Sequence, residues 1–260
     1  MQKVQNKKHA VLLDLYEHCQ KNGDFVFHNR LVKAMSEERG FGNPFDVTKL
    51  DSSNKLPAFF KDNDICLLHL GEGNHKFIKG IANLYHQFEP MQESVSWVYK
   101  KSLLNEYNDS ESNILSVANN QRILHDFVFG EDLEFENLPI SKRPKTYFSH
   151  RTKQTLEYYF ENEKIIAQNQ QIEIDLTIEF DGIIAVFEAK NGKAKDFNIY
   201  QIYHPFLYYH YSKLNFKEIA CVYLMRQGDI LKLWKYTFEN PLQLNSIKFL
   251  KSKEYILKRE

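Results

Sequence analysis

The stretch QIEIDLTIEFDGIIAVFEAK, residues 171–190, restricts this chain more than any other. Two runs of alternating apolar and polar residues flank Asp181-Gly182. Such a pair is a strong hairpin signal, because a two-residue type I′ turn needs positive φ at both central positions. Side chains alternate faces along a strand. Ile172, Ile174, Leu176, Ile178 and Phe180 therefore share one face of the first strand, and Glu173, Asp175, Thr177 and Glu179 share the other. In the second strand Ile183, Ala185, Phe187 and Ala189 fall on one face, opposite Ile184, Val186, Glu188 and Lys190.

The turn also sets the register. With Phe180 opposite Ile183, Asp175 stands opposite Glu188 and Glu173 opposite Lys190, with β-carbons about 5 Å apart. A slip of one residue would send Asp175 to the other face. Two facing carboxylates repel unless a cation lies between them or one takes a proton. Two carboxylates and a backbone carbonyl are a common protein contribution to Mg²⁺, which keeps waters and meets phosphate oxygens. An ammonium at Lys190 can orient or deprotonate a water and offset phosphate charge. The same four side chains also read as a solvated surface patch, and the hairpin alone leaves both readings open.

Composition narrows the classes. The 260 residues suffice for one large domain or two small ones, and 34 basic side chains balance 34 acidic ones. That excludes a polybasic protein that coats nucleic acid through bulk charge, but not a local basic groove. Cys19, Cys66 and Cys221 are scattered and odd in number, with no CxxC or HExxH motif. This argues against a zinc site or a disulfide framework and fits a reducing cytoplasm. No apolar run approaches the roughly 20 residues of a membrane span, and MQKVQNKKHAVLLDLY lacks the features of a signal peptide.

Along the chain, residues 8–21 carry apolar side chains at helical spacing and stop at Asn22-Gly23. A second helix is expected over His28–Glu38, and a third at LPAFF after a cap-like Ser53-Asn54. Two short strands around GEGNH follow. Three helices and a hairpin are the layout of a winged helix. Pro90 and NEYNDSESN mark a boundary region, and NILSVANNQRILHDFVF reads as one strong helix. The charge then changes sign, from acidic GEDLEFEN to basic SKRPKTYFSHRTK. The basic segment reads as a loop, either solvated or in contact with phosphates. From Lys164 the order is strand (KIIAQ and QIEIDLTIEF), strand (GIIAVFEAK), helix (KDFNIYQIYHPFLYYHY), strand, strand. That order predicts a mixed sheet with helices against it. The expected class is thus α+β or mixed α/β, with residues 1–88 as the winged helix, 89–130 as a helical connection and 131–260 as the second domain.

The residues now carry a resemblance. Asp175, followed by Glu188-Ala189-Lys190 at the end of the next strand, resembles the motif of the PD-(D/E)XK nuclease superfamily, with Ile174 where Pro is usual. KDFNIYQIYHPFLYY is similar to the helix after that motif in type II restriction endonucleases with an N-terminal winged helix. NPFDVTKLDSSNKLP and HLGEGNHKFIKG resemble the same group's first domain, so the resemblance covers most of the chain. It implies Mg²⁺-dependent cleavage of specific double-stranded DNA to 5′-phosphate ends, in a restriction–modification system. The cognate methyltransferase would then be a genetic partner, and a homodimer on a palindromic site is expected.

By that resemblance Asp175 and Glu188 bind metal with the Ala189 carbonyl, Lys190 is the catalytic lysine, and Gln201 stands beside the site. Gln201 also reads as a capping or packing residue, and Pro205 would leave its carbonyl without a helical donor. A further acid often comes from a preceding helix; Glu157 and Glu173 are the candidates. Base edges are read in the major groove by a helix or β-ribbon. The candidates for DNA contact are Thr48, Lys49, Ser53, Asn54, Lys55, His75, Lys76 and Arg151. A repair or junction nuclease of the same fold, or a DNA-binding regulator with an inert nuclease-like domain, are the rival functions.

Overall fold

The computed structural model describes residues 6–99, 103–104, 106–130 and 137–259. Its contacts fall into two compact units. The first holds Met1–Gln87, Lys153–Gln171 and Lys195–Ile199; the second holds Phe88–Thr152, Ile172–Ala194 and Tyr200–Glu260. Neither unit is one continuous piece of chain, where the sequence reading drew contiguous domains.

In the first unit, α1 (Lys7–Asn22) starts at Asn6, whose side chain accepts from the amides of Lys8 and His9. It ends at Gly23, with φ of 68° in the left-handed region that glycine tolerates. After β1 (Val26–His28) come α2 (Asn29–Glu38), α3 (Pro44–Val47) and α4 (Ala58–Asp62). Strands β2 (Ile65–Gly71) and β3 (Asn74–Lys79) form a hairpin, and β1 joins it in the antiparallel order β1-β3-β2. Tyr16 of α1 meets Phe60 and Phe77 edge-on, at 5.6 and 5.4 Å between ring centroids, which ties helices to hairpin. A short helix α5 (Ile81–Leu84) leads into β4 (Tyr85–Gln87), which pairs with β9 (Asp196–Asn198).

The second unit is built on a mixed sheet. Its strands are β5 (Glu93–Tyr99), β6 (Lys145–Phe160), β7 (Glu163–Phe180), β8 (Ile183–Asn191), β10 (Glu218–Gln227), β11 (Ile230–Phe238) and β12 (Ile247–Arg259). The order is β5-β12-β11-β10-β8-β7-β6, with β8/β10 and β5/β12 parallel. The outer parts of β6 and β7 count with the first unit. Helices α6 (Glu111–Asn120) and α7 (Ile123–Phe129) bury Ile114, Leu115, Leu124 and Phe127 against Leu176, Phe187, Ala189 and Leu224. Helix α8 (Tyr200–His210) lies against β8 and β10, and its Tyr209 hydroxyl meets Thr177 Oγ1 at 3.2 Å. No helix among the described residues is long and apolar enough to cross a membrane.

Several expectations need correction. The helix read over 113–129 is two, because Arg122 takes a φ of 66° between them. The basic segment is not a loop, since Lys145–Phe160 is the outermost strand of the sheet. Within the segment read as a helical connection, Glu93–Tyr99 is also a strand, held in parallel by β12. The aromatic helix starts only at Tyr200, because Asp196–Asn198 is extended. There the Asn198 amide donates to the Asp51 carbonyl at 2.7 Å. Of the acidic segment 130–137, residues 131–136 lie outside the described residues.

Candidate active site

The Asp181-Gly182 turn has φ of 48° and 78°, the positive pair that a type I′ turn requires. It puts Phe180 opposite Ile183, and the pairing runs on to Leu176 opposite Phe187. One step further the side chain of Asp175 takes over: the Ala189 amide donates to its Oδ2 at 3.3 Å. Glu188 Oε1 accepts from Lys190 Nζ at 2.8 Å and from Gln201 Nε2 at 2.7 Å. Lys190 Nζ also lies 3.0 Å from Oε1 of Glu111, the first residue of α6. Lys190, near the end of β8, thus meets the first residue of α6, while Glu188 meets Gln201 near the start of α8.

Burial sets the electrostatics. It pushes the Asp175 carboxyl up, against the pull of Lys190 and the Ala189 amide. It pushes Glu188 up to about 8, with Lys190 again pulling the other way and Asp175 adding to the push. Burial alone would lower Lys190, but Glu188 and Glu111 more than reverse it and hold the ammonium above its ordinary value. Burial thus favours a proton or a cation on the Asp175 and Glu188 carboxylates. A cavity of about 270 Å³ opens on it, lined by Ser110, Glu111, Ser112, Ser149, Glu173 and Asp175.

Those donors fit a hard cation, which takes carboxylate, carbonyl and hydroxyl oxygens. Asp175, Glu188 and the Ala189 carbonyl are the residues that would hold one. Gln201 Oε1 adds a buried acceptor that makes no hydrogen bond among the described residues. The side chains alone do not bring three His, Cys, Asp or Glu groups into a metal-binding cluster among the described residues.

A family model described as a domain of unknown function, DUF6997, matches residues 80–256. The chain belongs to the DUF6997 family. A second model, a domain of unknown function named DUF6996, matches residues 8–77. Searches of the curated proteins and of the solved structures return no match. Glu111, Asp175, Glu188, Ala189, Lys190 and Gln201 all lie within the DUF6997 match.

Glu111 is the residue that sequence reasoning missed in the DUF6997 region. Its signal was Ser110-Glu111 inside the polar run: Ser110 caps α6, and an acid in the first turn suits the helix dipole. Glu157, expected on a helix, sits exposed on strand β6 and pairs with Lys164 at 2.8 Å. Glu173 does line the cavity, but it is held by Arg151 at 3.0 Å.

The residues named for DNA contact fare unevenly. Thr48 and His75 are buried, and His75 bonds Asn29 and His69. Ser53 donates from its amide and hydroxyl to Asp196. Lys55 pairs with Asp51 and Lys76 with Glu163. Lys49 and Asn54 are exposed.

Proposed function

We propose that this chain is a Mg²⁺-dependent, sequence-specific endonuclease of the PD-(D/E)XK kind, a type II restriction endonuclease with an N-terminal winged helix. The observation that carries the reading is the Lys190 ammonium, held between Glu188 and Glu111 beside Asp175 at an acid-lined cavity. Helices α1, α2 and α4 and the β1-β3-β2 sheet of the first unit support the winged-helix part.

Phosphodiester hydrolysis needs charge stabilisation at the phosphate and a positioned water. When bound, Mg²⁺ supplies the first and acidifies a water. Asp175, Glu188 and the Ala189 carbonyl would hold it. Lys190 stays protonated between two carboxylates, so its part is to offset phosphate charge and orient the attacking water rather than to accept the proton. Gln201 fixes the Glu188 carboxylate and presents Oε1 to a water. Attack in line on phosphorus breaks the bond to the 3′ oxygen, leaving a 5′-phosphate and a 3′-hydroxyl. Exposed Lys49 and Asn54 remain the best placed of the named residues to reach DNA.

The test is incubation with plasmid and Mg²⁺, followed by sequencing of fragment ends. Discrete ends at one short motif support the reading. Cuts at branches or nicks point to a repair nuclease, and binding without cutting points to a regulator; either result overturns it.

A further inference from the structure

The first unit has a cavity of its own, of about 610 Å³, within the range of small-ligand sites. Amides make its wall: Asn29, Asn74, Asn169 and Gln170 all line it. Gln170 Nε2 donates to the Gln171 carbonyl at 2.9 Å. Its Oε1 is buried and makes no hydrogen bond among the described residues. A buried acceptor left so is costly, which argues for a donor supplied from outside the chain. Asn169, just before it, has φ of 45° in the middle of β7. Strain of that kind gathers at ligand sites. At the rim Phe45 keeps 68% of its surface exposed. Lys153 adds a positive charge to the same lining.

Each feature meets one part of a single kind of ligand. A flat ring stacks on Phe45, a polar ring edge faces the amides, an N–H reaches Gln170 Oε1, and a phosphate answers Lys153. A base inside a duplex cannot offer both its face and its pairing edge. We propose that this cavity binds one unpaired nucleobase, stacked on Phe45 with an N–H donated to Gln170 Oε1. The base can come from a nucleic-acid strand or from a free nucleotide. Its use by the chain rests on the endonuclease reading above; the binding does not.

The full chain is titrated in EDTA, so that no Mg²⁺-dependent cutting intervenes. The probes are a short single strand carrying one 2-aminopurine, the same strand with an abasic site there, the paired duplex, and 2-aminopurine nucleotide alone. Stacking should quench the fluorophore, and the abasic strand and the duplex should each bind about tenfold more weakly. Phe45→Ala should lose the quenching and about tenfold in affinity; since Phe45 is exposed, this variant keeps its fold. Gln170→Leu should lose a similar factor. A nucleotide that binds as tightly as the strand identifies the free nucleotide as the ligand, and a weaker one identifies the strand. Equal binding of the abasic strand, or unchanged quenching in Phe45→Ala, overturns the proposal. Failure to cut plasmid with Mg²⁺ would sink the endonuclease reading and leave these quantities where they are.

Discussion

Lys190 Nζ lies 3.0 Å from Glu111 Oε1, so the end of β8 and the first turn of α6 share one ion pair. If the ammonium stabilises charge on a phosphate, Lys190→Ala should lower cleavage by about a hundredfold or more. DNA binding, measured by anisotropy without metal, should change little. Normal cutting by this variant would remove the site assignment.

Glu111 acts through Lys190. Glu111→Gln keeps an oxygen acceptor but loses the charge that holds the ammonium in place. Single-turnover rates should fall about tenfold, with binding of the DNA unchanged. A loss of affinity with an unchanged rate would place Glu111 in substrate binding instead.

Mg²⁺ dependence gives a separate check. EDTA should abolish cutting, and added Mg²⁺ should restore it. Asp175→Asn should stay inactive at any Mg²⁺ concentration, because one of the two carboxylate donors is then lost. Full activity of Asp175→Asn would contradict the donor set.

The turn can be tested without any substrate. Gly182 has φ of 78°, and a β-carbon there would come within 3.1 Å of Lys217 Cγ. Gly182→Val should therefore cost about 1–2 kcal/mol of stability. The midpoint of urea unfolding reads it directly, and an unchanged midpoint would mean that the turn does not hold the register.

Buried His75 and its half-buried neighbour His69 give the first unit a pH dependence. Burial pulls His69 down to about 4; it pulls His75 down to about 2, helped by His69 and His28. Both pKa values are depressed, so the unfolded chain binds more protons between the folded value and about 6.5. Their contribution to stability is complete above about 6.5 and is lost as pH falls toward 4 and below. The urea midpoint should drop from pH 7.5 to pH 5, and His75→Gln should flatten that drop. An equally steep drop in His75→Gln would assign it to other groups.

Local chemistry made part of this readable. Asn22-Gly23 ended α1 at the expected place, and Asp181-Gly182 turned the hairpin in the expected register. The strands β5, β6 and β12 were not read as strands. Val95 and Trp97 alternate with exposed residues, but seven residues pair only because β12 arrives from the far end of the chain. β6 carries Lys145, Arg151 and Lys153 within a basic segment, and its place at the sheet edge tolerates the charges. Asn198 looked helical from its neighbours, yet the Leu50 and Asp51 carbonyls hold it extended.

What the sequence determined by itself was the inner geometry of the hairpin, since a two-residue turn and a period of two leave one register. It thereby brought Asp175 to the end of β8, where Glu188 and Lys190 stand. The tertiary structure decided what surrounds them. Glu111 and Gln201 reach the site from helices whose spacing from β8 no local pattern records. It also decided the charge: Lys190 stays an ammonium and Glu188 is pushed up to about 8 because neighbouring elements exclude water and bring a second carboxylate close.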